Sequence, residues 1–211
     1  MAVRFKFNMD KYRSFSTSCL SVCLILFTAA GIHAQKAHSP QTNRSAIKGK
    51  LIQASAMGTS TQLGKIFTVN IRVSGLSTPA EQKGLIESFT ADGNQGLVNA
   101  LDKMESKGRL SMPATIGYDI AYIREIRNKD GSFIVRGVTD RPIAMGELWR
   151  SGRSRDYNLS AFEIKFTKDK KGKWKGTGTL MPAAEFKIGK DNQLVIELLQ
   201  NPWTLQNIQI R

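Results

Sequence analysis

The chain has 211 residues, with 31 Lys and Arg against 17 Asp and Glu, giving a formal charge of +14. Both cysteines (Cys19, Cys23) and both histidines (His33, His38) lie N-terminal to Ser39. Any folded body beyond them therefore lacks thiol and imidazole, which excludes disulfides, the usual zinc and copper ligand sets, and Ser-His-Asp or Cys-His nucleophilic catalysis.

The segment 1–34 falls into three zones: a basic start (Arg4, Lys6, Lys11, Arg13), an apolar run from Cys19 to Ile32, and small residues ending at Ala34. That order is the signature of a removable secretory signal, and the apolar run is shorter than the roughly 20 residues a membrane helix needs. The expectation is export to the periplasm or beyond, a signal peptide over 1–34, a flexible leader over 35–45, and one domain over 46–211 with no transmembrane segment. Cys23 sits inside the apolar run and is a poor lipidation site. The segment 1–34 holds four of the Lys and Arg and one acid, so the remainder carries +11. That excess favours anionic partners without specifying any.

Ile47–Met57 reads as a weak strand. In the next, Phe67, Val69, Ile71 and Val73 alternate with Thr68, Asn70 and Arg72, a period of two that marks a half-buried strand. Thr78, Pro79 and Glu81 then spell a helix start with a capping box. Leu85, Ile86 and Phe89 give that helix an apolar stripe. A second helix is expected from Asn94, with Leu97, Val98, Leu101 and Met104 on one face and a stop at Gly108. Strands follow at Tyr118–Arg127, Phe133–Thr139, around Phe162–Phe166, at Trp174–Met181, around Phe186–Ile188, at Leu194–Leu199 and at Trp203–Ile210, separated by turns such as Asn128–Gly131, Lys168–Lys173 and Gly189–Asn192. The fold class is α+β: an antiparallel, twisted or barrel-like sheet of about eight strands, with a helical hairpin inserted after the second strand.

Four places are candidates for chemistry. Between two strands, Arg141, Arg150, Arg153 and Arg155 gather around Trp149, a composition suited to planar anions and sugars through forked hydrogen bonds and stacking. The plainer reading, which carries more weight, is a solvated loop whose Trp149 plugs the sheet. The carboxylates Asp119, Asp140, Glu147, Asp156 and Glu163 could supply a pair for glycoside hydrolysis, although Asp119 and Glu163 occupy outward strand positions where charge belongs anyway. Ser45-Ala-Ile-Lys48 matches S-x-x-K formally, without the partner motifs a Ser-Lys acyl enzyme requires. The hairpin Lys165–Lys175 carries a lysine-rich tip, read as protection of strand edges in preference to polyanion binding. None of these implies a cofactor or a metal.

Thr78-Pro-Ala-Glu81, Ile116-Gly-Tyr-Asp-Ile120, Thr139-Asp-Arg-Pro-Ile143 with Trp149, Phe162-Glu-Ile164 and Gly176-Thr-Gly178 together resemble a group of uncharacterised exported bacterial proteins over residues 64–210. The resemblance implies export and an intact fold, and it carries over no functional residue. The leading expectation is a non-enzymatic exported module that binds an apolar small molecule or an anionic polymer, or serves a structural role at the envelope. The alternatives are a carboxylate-dependent glycoside hydrolase and an anionic-polymer binder acting through the arginine loop.

Overall fold

The computed structural model describes residues 45–143, 157–188, 194–198 and 201–211. Nine strands occur among them: β1 (Leu51–Met57), β2 (Ile66–Val73), β3 (Gly108–Ser111), β4 (Tyr118–Arg127), β5 (Phe133–Thr139), β6 (Leu159–Lys168), β7 (Trp174–Ile188), β8 (Leu194–Leu198) and β9 (Trp203–Ile210). One α-helix, α1 (Pro79–Asp102), follows β2. Every pairing is antiparallel. Strands β1 to β6 pair in sequence, β6 pairs with β7, β7 with β9, and β9 with β1. Eight strands thus close into a barrel, and the far end of the long β7 leaves it to pair with β8.

The alternation seen in the sequence sorts side chains between lumen and exterior. Ile52 and Ala54 of β1 stand opposite Ile71 and Val69 of β2. Val135 of β5 stands opposite Ile164 of β6. These join Phe133, Phe162, Phe166, Leu180, Trp203 and Leu205 in one core whose members are almost wholly buried. A small barrel can be filled this way only if large and small residues face each other. Here Gly137 lies opposite Phe162, and a Cβ at Gly137 would overlap the Phe162 ring. Gly176, opposite Phe166, would bring a Cβ to 2.9 Å from that ring and 2.8 Å from Ile208 Cβ.

Both ends of the barrel are stoppered from within the chain. At one end Ile47 is fully buried, and the turn that carries it is latched by Glu125, which accepts bonds from Ser45 Oγ (2.7 Å) and the Ala46 backbone N–H (2.9 Å). At the other end Ile143 and Trp203 are fully buried. A second, smaller core lies outside the barrel, where Leu85 and Leu101 of α1 pack on Ala121, Ala161, Met181 and Ala184 of the sheet.

Several sequence expectations need correction. The two helices form one continuous element, Pro79–Asp102, kinked at Asp92 and Gly93, whose backbones leave the helical region just before Asn94, where the second helix is expected to start; what needs correction is its end, at Asp102 and not at Gly108. Gly96 packs so closely on the Ser88 carbonyl that a Cβ would overlap it. Eight residues of straight helix would rise about 12 Å, so the chain bends sharply at the break. Gly108 does not end a helix; it opens β3, which the sequence reading missed, and is needed because a Cβ there would overlap the Arg72 carbonyl. The first strand starts at Leu51, not Ile47, because Ser45–Lys50 form the stopper turn. The strands expected at Trp174–Met181 and Phe186–Ile188 are one, β7, which continues through Pro182 at a bulge. Proline is tolerated there because a bulged residue owes no ladder hydrogen bond.

Candidate functional site

The most unusual electrostatics among the described residues lie where β5 runs out and the arginine-rich connection begins. Thr139 and Ser160 are opposite one another in the β5–β6 ladder, and both are buried. Their hydroxyls, pointing into a space without water access, must find partners in the chain. Ser160 Oγ donates to the Pro182 carbonyl at 2.6 Å and accepts the Ile143 N–H at 2.7 Å. Thr139 Oγ1 donates to the Arg141 carbonyl at 2.6 Å and accepts the Ser160 N–H at 3.1 Å. The bulge at Pro182 is what frees its carbonyl for this role; it also accepts the Ile143 N–H at 2.8 Å. These bonds fold Arg141–Ile143 back across the barrel mouth and drive Ile143 into the core.

Two charged residues of that segment sit at the rim. Asp140 has one carboxylate oxygen buried without a hydrogen-bond partner. Loss of hydration raises its pKa above 3.8, Arg141 beside it opposes the shift, and the carboxylates of Asp102 and Asp119 reinforce it. The Arg141 guanidinium lies over the Tyr118 ring, 5.5 Å from its centroid, a cation–π contact that turns it along the mouth.

Of the arginine cluster expected from the sequence, Arg141 is placed as described; Trp149, Arg150, Arg153 and Arg155 lie outside the described residues, as do Glu147 and Asp156. The remaining carboxylates are not brought into a pair with Asp140 by any bond. Glu163 is held by Arg136 at 2.6 Å, and Asp119 by Arg109 at 3.6 Å. The Ser45 hydroxyl is committed to Glu125, with the Ile47 and Lys48 N–H groups bonded back to its oxygen, so Ser45–Lys48 forms a capped turn without a nucleophile–base contact. Ser160 is equally unavailable, being fully buried and bonded to backbone. Among the described residues no cluster of three acidic, cysteine or histidine groups could hold a metal ion.

The lysine-rich hairpin stands differently from its sequence reading. β6 pairs with β5 and β7, and β7 with β6 and β9, so the barrel leaves these strands no long free edge for lysines to guard. The Thr139–Ser160 knot was not anticipated either; its only signal in the sequence is a Thr and a Ser at inward positions of apolar strands. No family model, curated protein or solved structure matches the chain.

Proposed function

We propose that the chain is an exported, non-enzymatic binding module that engages an anionic partner with its outer surface and not with its lumen. One observation carries this reading: the barrel interior is occupied by its own side chains, down to glycines whose missing Cβ atoms are replaced by the rings of Phe162 and Phe166. A ligand of even a few heavy atoms would have to displace core residues, each worth roughly 1.5–3 kcal/mol of burial. The positive charge of the sequence supports an anionic partner, and its three-zone N-terminus supports export. Thermal-shift screening against fatty acids, phospholipids and acidic wall polymers tests it. Stabilisation by acidic polymers is expected; stabilisation by a lipid whose binding quenches the fully buried Trp203 would place the ligand in the lumen and overturn the reading.

A second reading, a carboxylate-dependent glycoside hydrolase, rests on Asp140, which has one buried carboxylate oxygen and a pKa raised by loss of hydration, the direction a general acid needs. Alanine at Asp140 and at Asp156, assayed on a polysaccharide panel, decides it. Absence of turnover by the unmodified protein on every glycan ends this reading.

A further inference from the structure

Resting on that reading of an outward-facing binding module, we propose that the barrel end carrying the β4–β5 and β6–β7 turns is a docking surface for a flexible polyanion with repeating phosphate groups. The strand register sets the two turns side by side, because Phe133 at the start of β5 pairs with Phe166 near the end of β6. A concavity of about 380 Å³ runs between them, lined by Asp130, Gly131, Ser132, Thr167 and Lys168. Lys168, Lys170, Lys171 and Lys173 project from one turn and Lys129 from the other, all of them exposed.

Some cations elsewhere are paired locally, as in Lys83–Glu87 and Lys107–Glu81 beside α1 and Arg136–Glu163 on the barrel wall, while single cations such as Lys65 and Lys103 stand apart from one another. Among the described residues, the five lysines of the two turns form no ion pair within 4.0 Å. The two acids present are bound into their own turns. Asp169 Oδ1 accepts the Lys171 N–H at 2.8 Å and the Lys173 N–H at 2.9 Å; Asp130 Oδ1 accepts from Ser132 Oγ at 2.6 Å and Ser132 N at 2.9 Å. Their negative charges subtract from the patch, yet one oxygen of each is turned back into its own turn while the surrounding lysines are exposed. Lys168 is steered over the half-buried Trp174 ring, 5.1 Å from its centroid, which fixes its ammonium at the rim of the concavity.

Lysines are compact point charges without the planar fork of arginine. A cluster of them binds through release of counterions from a dense line of charge, with little geometric demand on the partner. That fits a flexible polyphosphate or phosphodiester chain. An anionic bilayer fits less well, because interfacial binding draws on inserted apolar side chains. The exposed large apolar residues of the described part are Leu63, Ile66, Phe67 and Ile116, at the opposite end of the barrel, and Ile86 on α1.

The test measures affinity of the protein for long-chain inorganic polyphosphate and for oligodeoxythymidine at several salt concentrations. Two variants of equal charge are compared: Lys168, Lys170, Lys171 and Lys173 all changed to Gln, and Lys65, Lys83, Lys103 and Lys187 all changed to Gln. The first should lose on the order of 100-fold in affinity at 0.1 M salt, and its log–log salt slope should become shallower by about 3. The second should bind nearly as the unmodified protein does. Binding of both probes marks repeating phosphate as the feature recognised; binding of oligodeoxythymidine alone marks a nucleic-acid source. Equal losses in both variants would overturn the patch while leaving an anion-binding exterior in place. No binding of either polymer by the unmodified protein, beside binding to phosphatidylglycerol vesicles, would overturn the choice of partner. Equal unfolding midpoints of the two variants in urea exclude misfolding as the cause of a loss.

Discussion

Gly137 has no side chain, and the reason is Phe162: the ring lies where a Cβ would go. Gly137→Ala should therefore destabilise the fold by about 1–3 kcal/mol, the usual cost of overpacking a core. Shrinking the ring in the same molecule, Phe162→Leu, should return part of that loss, because neighbours in contact do not add. Urea unfolding of the two single variants and the double variant reads this directly; strict additivity would mean that the ring does not occupy the space. Asp140 makes the opposite case, a residue that costs stability where it stands. Its folded pKa lies above 3.8, so the folded form holds its proton more tightly than the unfolded chain. Its contribution is most favourable below pH 3.8 and declines as pH rises through the folded value. Asp140→Asn should consequently raise the melting temperature at pH 7, and the gain should vanish below pH 3.8. An Asn that destabilises at neutral pH would show that the carboxylate has a partner.

At the scale of elements, the start of α1 is fixed by a reciprocal cap: the Glu81 carboxylate accepts the Thr78 N–H at 2.6 Å, and Thr78 Oγ1 accepts the Glu81 N–H at 3.2 Å. Glu81 is also held by Lys107 at 2.8 Å, just before β3, so one carboxylate ties both ends of the helical insertion together. Lys107, and then the Thr78 backbone, draw the Glu81 pKa below 4.5, while Glu81 holds Lys107 above 10.5. The Glu81 contribution is present above pH 4.5 and lost as pH falls through its folded value; the Lys107 contribution is present below pH 10.5 and lost as pH rises through its own. Glu81→Gln should lower stability at pH 7 by about 1 kcal/mol, comparable to Thr78→Ala, and the difference from the unmodified protein should close in acid. A pH-independent deficit would assign the effect to packing.

The cap was legible because Thr78, Pro79 and Glu81 act within one turn of chain, and the turn at Asn128–Gly131 was legible for the same reason, with Gly131 at φ 79° bonding back to Asn128. β3 was not, since so short a strand gives too little alternation and Gly108 imitates a helix stop. β7 looked like two strands because the bulge carbonyl that makes Pro182 acceptable belongs to a knot with Ser160, 22 residues away. Asp140 and Arg141 could be named from the sequence, whereas the desolvation that sets Asp140 apart depends on the folded chain closing around it.

For the whole molecule, closure decides what the rest can do. Pairing β1 with β9 and β6 with β7 closes eight strands into a barrel, leaves β8 as the edge strand among the described residues, and seals the lumen around Phe162, Trp203 and their neighbours. Edge protection then no longer accounts for the lysines of the β6–β7 turn, and the same closure brings the β4–β5 turn beside them. The latch at Glu125 should matter globally too. Its side chain is only 4% exposed and accepts from Ser45 Oγ and the Ala46 amide, so Glu125→Ala should cost about 1–3 kcal/mol by stripping those donors of their acceptor and free the Ala46 and Ile47 amides to exchange hydrogen.

The most direct test of an exterior binding surface on a filled barrel is amide NMR with polyphosphate titrated into the folded protein. Shifts should concentrate at Lys129–Gly131 and Lys168–Lys175, with the amides of Phe162, Leu180 and Trp203 unmoved. Progressive shifts at those core amides, with the turn residues silent, would contradict it.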